Sequence, residues 1–545
     1  MLQWLYSKSA VFSFLFTTDF LLKIKRFQDI FRGAPVLAKV KSFALDGLLG
    51  CEVDVEVDIN SGIPSFDLVG LPSAATKESK ERVYSAIKNS GFLYPVKRIT
   101  VNLAPADLKK EGPGFDLAIA VSLLAASDQI PKKLYKDFIM LGELSLDGRL
   151  RHIDGVLPVI ISAVQSGYTK FIVPKENAPE ASYIERAEVY ALESLREAAA
   201  LLSGGEGFLR VEPRKFENII ECFSYPVDFA DVKGQAFAKR GLEIAVSGGH
   251  NVIMSGPPGT GKTLLAQCVP TIMPDMTFEE AVEVAKIHSV AGILDSRVGI
   301  VTARPFRTPH HSATIPALVG GGAKSRPGEV SLAHNGVLFL DEMPEYSRRA
   351  LESLRQSLED RKVTVSRVQR TVDYPADFML IASMNPCPCG NYGSKTKQCS
   401  CTSHQIRQYM SRLSGPLLDR IDLQIEVDNI TYDELRTTRE GERSAEIKSR
   451  ANRAREIQRN RFASDGILTN SAMTNALIKK YCALDSASER LLERAYQKLA
   501  LSARGAARIL KVARTIADLD GSADIAPKHI GEAVQYRMLD KKYYG

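Results

Sequence analysis

From Val36 the run VLAKVKSFALDGLLGCEVDVEVDI alternates apolar and polar residues, which predicts two strands joined by a glycine turn. Strand-like and helix-like patterns then interleave to about residue 200, as in VEVDI, ESKERVYSAIKNSG, KRITVNLAP, FDLAIAVSLLAAS and KFIVPKENA. That mixture predicts an α+β or α/β unit over 36–202. Residues 203–227 are rich in Gly, Glu and Pro and read as a linker. A second α/β pattern fills 228–429, and 430–545 shows helical periodicity with almost no strand signal. No internal repeat is visible.

Residues 1–35 look unlike the rest: Phe- and Leu-rich, with the only Trp (Trp4) and a terminal Arg32-Gly33-Ala34-Pro35. The preferred reading is a mis-assigned start, translation beginning at Val36. The alternative is a docking or amphipathic arm.

Composition narrows the class. At roughly 100–200 residues per domain, 545 residues suit about three or four domains. An apolar share of 45% with 25% charged residues excludes collagen, a coiled-coil rod and wholesale disorder. The balance of 71 Lys+Arg against 64 Asp+Glu permits an anionic partner without demanding one. The most apolar stretch, VFSFLFTTDF, is too short for a membrane span and has no signal-peptide features, so no membrane partner is expected. Of 8 cysteines, Cys51, Cys222, Cys268 and Cys482 are scattered while four cluster, a usage that points to a reducing cytoplasm.

Chemistry concentrates in the second α/β segment. Gly256-Pro257-Pro258-Gly259-Thr260-Gly261-Lys262-Thr263 fits G-x-x-x-x-G-K-[ST] between an apolar strand, Asn251–Ser255, and a helix opening at TLLAQCV. Glycines let successive N–H groups face phosphate oxygens, and the helix N-terminus adds its dipole. Lys262 then reaches the β/γ-phosphates of ATP and Thr263 ligates Mg²⁺. The alternative is a glycine-rich turn without nucleotide. Val337-Leu338-Phe339-Leu340-Asp341-Glu342 predicts a buried strand ending in two carboxylates, Asp341 for the Mg²⁺ shell and Glu342 to polarise the attacking water. A third strand, Phe378–Ala382, leads to Ser383-Met384-Asn385, whose amide can position water or simply cap the strand.

Cys387-Pro-Cys389 and Cys399-Ser-Cys401 can close a tetrahedral structural Zn²⁺ site, although the usual knuckle is C-x₂-C. Free reduced thiols are the alternative, and His404 is near enough to substitute as a ligand. Residues 361–372 predict a β-hairpin with Arg367 and Arg370 near its tip. A second insertion runs from Arg304-Pro305-Phe306-Arg307-Thr308-Pro309-His310-His311 to Gly320-Gly321-Gly322. The basic helix over 445–462 lacks one clean stripe and reads as a solvated or inter-subunit face.

Together PSFDLVGLP, NLAPADLKKEGPGFDLAIA, PFRTPHH, SLAHNGVLFLDE, SMNPCPCGNYG and LSGPLLDRIDL resemble the AAA+ family, in its magnesium-chelatase-like branch and the YifB/ComM group, from Val36 to the C-terminus. The resemblance implies an AAA+ P-loop α/β core and a C-terminal helical lid. It makes Asn385 sensor 1 and Arg420 an arginine finger reaching a neighbour's ATP. Arg504 becomes sensor 2, with Arg508 as its rival; Arg420 could instead pair with Asp419 or Asp422. A trans finger implies a head-to-tail ring, a homo-hexamer. In related ring motors such insertions track nucleic acid, so Arg367 and Arg370 are the DNA-contact candidates.

Segment 36–202 resembles a degenerate Lon-protease-like domain, an α+β fold of ribosomal S5-like type. Gly114 and Leu157 stand where the catalytic Ser and Lys would be, so no peptidase activity is expected. The expected function is an ATP-driven DNA translocase, a branch-migration helicase on branched or single-stranded DNA in recombination during natural transformation, with recombination proteins as partners. The alternative is a chelatase-like motor that remodels a protein without binding DNA, though a D-x-S-x-S motif is missing. An unfoldase for an attached protease is disfavoured by Gly114 and Leu157.

Overall fold

A computed structural model describes residues 36–108, 110, 112–131, 135–216, 225–322, 326–367, 370–393, 397–430, 441–499 and 501–538. The extension 1–35 and Cys222 lie outside the described residues. The chain forms two compact units, one ending at Pro213 and the other spanning Arg214–Gly545.

The first unit carries β1 (Val36–Asp46), β2 (Leu49–Asn60), β3 (Ser65–Val69), β4 (Arg98–Ala104), β5 (Phe138–Met140), β6 (Glu143–Leu144), β7 (Leu150–Arg151), β8 (Lys170–Pro174) and β9 (Glu188–Leu192). Seven of them form a mixed sheet in the order β3-β4-β2-β1-β5-β8-β9. The expected hairpin is β1–β2, antiparallel from Val36↔Ile59 to Asp46↔Leu49. Alternation decides its faces: Val53, Val55 and Val57 are fully buried, while Lys39 and Lys41 meet Asp54 on the other face at 2.7 and 2.8 Å.

The helix Asp116–Ala126 (DLAIAVSLLAA) is buried at every position, as a helix that is apolar all round must be. Its one carboxylate, Asp116, takes Arg82 at 2.6 and 3.2 Å and the Leu144 N–H at 3.2 Å. Burial pushes the Asp116 pKa up, and Arg82 only partly opposes it.

The second unit has β10 (Val252–Ser255), β11 (Phe306–Arg307), β12 (Val337–Leu340), β13 (Lys362–Arg367), β14 (Arg370–Pro375), β15 (Met379–Met384) and β16 (Leu423–Glu426). Five of these form a parallel sheet in the order β11-β12-β15-β10-β16. β15 begins one residue later than expected and runs on to Met384, because its ladder with β10 continues to Ser255↔Met384. Asn385 is therefore the first residue past the strand end.

Val252, Met254, Leu423 and Ile425 of the sheet share one core with Ile447, Phe462, Val512, Ile516 and Tyr536 from the C-terminal helices. The boundary drawn at 429/430 thus falls inside one compact unit, beside residues 431–440, which lie outside the described ones.

The basic helix, Ser444–Arg461, differs from its expected solvated face. Lys448 pairs with Asp275 at 2.6 Å, Arg450 with Glu243 and Glu442, and Arg461 with Asp518 at 2.8 Å. Arg455 donates to the Val246 carbonyl at 3.1 Å. These cations fasten the helix within its own unit, whereas Arg453 and Arg459 remain exposed. Among the described residues no helix is long and apolar enough to cross a membrane.

Arg82→Met removes the cation hydrogen-bonded to the fully buried Asp116 carboxylate, and should cost about 3 kcal/mol or more in urea unfolding near pH 7. Because the native pKa of Asp116 is raised, the folded state binds more protons than the unfolded one above the unfolded carboxylate value. The deficit should therefore grow as pH rises from the ordinary carboxylate range and shrink as it falls.

Candidate nucleotide site and cysteine cluster

The parallel register sets three chain ends side by side. β10 runs into the phosphate loop, β12 into Asp341-Glu342 and β15 into Asn385. Gly256 must be glycine, since a Cβ there would lie 2.1 Å from the Val427 carbonyl. Gly259 and Gly261 hold the left-handed φ values of 81° and 86° that turn the loop into the helix Lys262–Ile272. Pro257 and Pro258 lie between Gly256 and Gly259, and Thr260 fastens the loop by donating to the Pro257 carbonyl at 2.9 Å.

Lys262 folds back over this loop. Its Nζ donates to the carbonyls of Gly256 and Pro257, both at 2.8 Å, and to Asn385 Oδ1 at 3.3 Å. Burial lowers its pKa, against the pull of Asp341 and Glu342. All three acceptors are neutral, hence weaker partners for an ammonium than phosphate oxygens.

Thr263 Oγ1 donates to Asp341 Oδ2 at 3.1 Å. One hydroxyl and one carboxylate on adjacent elements fit Mg²⁺, which binds through one or two protein oxygens plus substrate phosphates. Ser383, which sequence reasoning left without a role, donates to Asp341 Oδ1 and accepts the Glu342 N–H at 3.1 Å. It ties both carboxylate residues to β15. Glu342 sits in the left-handed region at φ 49°, uncommon for a non-glycine residue, and is exposed at the strand end. The signal for Ser383 was its place directly before Met384-Asn385 at the end of an apolar strand.

The arginines separate. Arg420 is only 4% exposed and is held by Glu359 and the Pro416 carbonyl, with its Nε lacking a hydrogen-bond partner. Its ion-pair partner is therefore Glu359, not the Asp419 or Asp422 of the alternative reading. Asp422 is taken by Arg508 and by His250 Nδ1 at 3.2 Å. Burial alone would raise the Asp422 pKa, but Arg508 and His250 hold it well below the usual carboxylate range. Burial and repulsion from Arg355, Arg504 and Arg508 bring Arg420 down to about 10. Arg504 is exposed in the first turn of the helix Ala503–Leu519, whereas its rival Arg508 is already engaged.

The four cysteines converge. Cys387 Sγ lies 3.3 Å from Cys389 Sγ and 3.6 Å from Cys399 Sγ, Cys389 lies 3.6 Å from Cys399, and all four sulfurs fall within 4.8 Å of one another. A tetrahedron with Zn–S of about 2.3 Å has edges of about 3.8 Å, so the donor set fits Zn²⁺. Backbone N–H groups of Asn391 and Ser400, with the Cys387 thiol, bring Cys389 down to about 5. Tyr392 N–H points at Cys387 Sγ at 3.3 Å. His404 is exposed and does not join this group.

The predicted hairpin is present as β13–β14, with Arg367 opposite Arg370 and Val363, Val365, Val372 and Tyr374 buried at its base. The side chains of Arg367 and Arg370 lie outside the described set. In the other insertion Arg304 donates to the Asn335 and Asp275 carbonyls at 2.7 and 3.2 Å and to Glu280 at 2.9 Å. Arg307 pairs with Glu329 through two bonds of 2.7 and 2.9 Å. Both are committed to partners within their own unit.

In the first unit a Cβ at Gly114 would lie 3.6 Å from Ile153, and Leu157 is fully buried with its N–H on Glu180. The position expected for a serine has no hydroxyl, and the position expected for a lysine has an apolar side chain.

A phosphate loop, paired carboxylates and a polar residue closing adjacent parallel strands define a P-loop nucleotidase site. The family model described as "Magnesium chelatase, subunit ChlI" matches residues 228–435, its C-terminal counterpart 441–537, and "Subunit ChlI of Mg-chelatase" 55–177. The chain is 44% identical over 507 residues to the competence protein ComM of Haemophilus influenzae, covering 92% of this chain and 98% of that one. It is likewise 44% identical over 506 residues to the uncharacterized protein YifB of Escherichia coli, covering 93% and 98%. A 156-residue stretch is 30% identical to the Lon protease of Brevibacillus choshinensis, 27% of this chain and 19% of that one. The chain belongs to the ComM/YifB family of magnesium-chelatase-like AAA+ proteins.

Ser383→Ala leaves Asp341 and the Glu342 backbone without their shared anchor, so Mg²⁺-dependent nucleotide binding should weaken roughly tenfold while metal-free binding changes little. Titration of a fluorescent ATP analogue with and without Mg²⁺ reads the difference.

Proposed function

We propose that this chain is an ATP hydrolase working as a homo-hexameric DNA translocase in the cytoplasm, a branch-migration helicase acting in recombination during natural transformation. The observation that carries the ATPase is the meeting of Lys262, Asn385, Thr263 and Asp341 at the ends of three neighbouring strands. Lys262 and the loop N–H groups bind the phosphates, Thr263 and Asp341 hold Mg²⁺, and Asn385 orients the water that Glu342 polarises. Arg420 serves as the finger in trans, leaving Glu359 for a neighbour's γ-phosphate, and Arg504 acts as sensor 2 from the helical lid. Such a finger contributes on the order of 10³–10⁵ in rate.

The DNA half of the reading rests on the cationic hairpin β13–β14 and on the competence role named for the Haemophilus relative. Branched or single-stranded DNA is the substrate, with recombination proteins as partners. None of the described cysteines is in a disulfide, in keeping with a reducing compartment. The first unit is a Lon-like domain of S5 type without peptidase activity, since Gly114 and Leu157 supply neither nucleophile nor base. A second reading, a chelatase-like motor that remodels a protein partner, is favoured by the internal commitment of Arg304 and Arg307, which leaves fewer cations for phosphate.

Forked or four-way DNA should stimulate ATP turnover, and Arg367→Ala with Arg370→Ala should remove the stimulation. DNA that neither binds nor stimulates ends the translocase reading in favour of the protein-remodelling one. Glu342→Gln should keep ATP binding and lower hydrolysis by about 10² or more. Full turnover in that variant would remove the water-activating role.

A further inference from the structure

The cysteine cluster touches the phosphate loop. Gly390, inside the turn closed by its own N–H to the Cys387 carbonyl at 2.9 Å, packs so close to Pro258 that a Cβ would lie 2.5 Å from Pro258 Cδ. Gly390 also holds φ 79°, so both space and backbone conformation demand glycine there. From the other side, Asn385 stands two residues before Cys387 and accepts from Lys262 at 3.3 Å. The segment 385–390 thus meets the phosphate loop twice, at its second proline and at its lysine, with Cys387 and Cys389 between the two contacts.

From this arrangement we infer that Zn²⁺ held by Cys387, Cys389, Cys399 and Cys401 clamps the phosphate loop, so that metal occupancy sets nucleotide affinity. Four thiolates bonded to one ion fix the Cys387–Gly390 turn, and the turn in turn fixes Pro258 and the Asn385 amide. Without the metal, the turn keeps only its N–H···S and N–H···O bonds, and the loop must be ordered when nucleotide binds, at a cost in affinity. The inference rests on the reading of 256–263 as an ATP site, but it concerns what sets the affinity of that site.

The test uses the full chain in constant Mg²⁺, with bound zinc measured by a chromophoric chelator and binding of a fluorescent ATP analogue measured in parallel. The zinc-loaded chain should hold about one zinc ion and bind the analogue. Stripping and dialysis should weaken binding about tenfold, and zinc should restore it. Gly390→Ala should weaken binding by a similar factor while retaining zinc, because the new methyl displaces Pro258 without touching a thiolate. Gly466→Ala is the control for backbone strain: φ is 69°, nothing lies within 4 Å of the added Cβ, and affinity should not change. Equal affinity in zinc-loaded and stripped protein overturns the clamp, as does a folded chain that takes up no zinc. No nucleotide binding even with zinc bound overturns the ATP-site reading itself, and the clamp with it.

Discussion

The parallel register of β12, β15 and β10 is the constraint on which the rest of the site depends. Leu340↔Ala382 and Ser255↔Met384 bring three carboxyl ends to one edge of the sheet. Only that alignment lets Lys262 reach Asn385, Thr263 reach Asp341, and Ser383 bridge Asp341 to Glu342. A slip of one residue in β15 would turn Ser383 to the opposite face and break the bridge. The apolar runs VIMS, VLFL and MLIASM, buried at every position, are what hold the register.

Asp341 and Glu342 supply the anions of this edge, whereas Arg420 and Asp422 lie beside Asn251 at the opposite, amino end of β10, where burial and repulsion from Arg355, Arg504 and Arg508 lower the Arg420 pKa. Two of these four arginines have strong internal partners, Arg420 with Glu359 and Arg508 with Asp422. Glu359 is itself half exposed and closes the helix that leads straight into the β13–β14 hairpin, so the residue holding Arg420 and the cationic tip belong to one continuous segment.

Much of this was legible in the residue pattern. The phosphate loop, the strand ending in Asp341, the β1–β2 hairpin and the four-cysteine group all rest on local spacing, and local spacing survives folding. What escaped were relations between distant segments. Glu359 as the partner of Arg420 joins positions 61 residues apart, and Arg508 with Asp422 joins positions 86 apart. No periodicity encodes such pairs. Arg304 and Arg307 looked available because a cation's carboxylate partner is invisible until the chain brings it near. The basic helix misled for the same reason: its arginines follow no stripe because they reach Glu243 and Val246 on one helix, Ala236–Gly248, and Asp518 on another, Ala503–Leu519.

The most direct test of the account is calorimetric titration of Mg²⁺·ATP into the intact chain and into Lys262→Ala. If β10, β12 and β15 build a triphosphate site around that ammonium, the native chain binds with a defined stoichiometry and the variant loses the binding heat. Equal affinity in the two proteins would contradict the site, and with it the assignment of Asp341, Glu342 and Asn385.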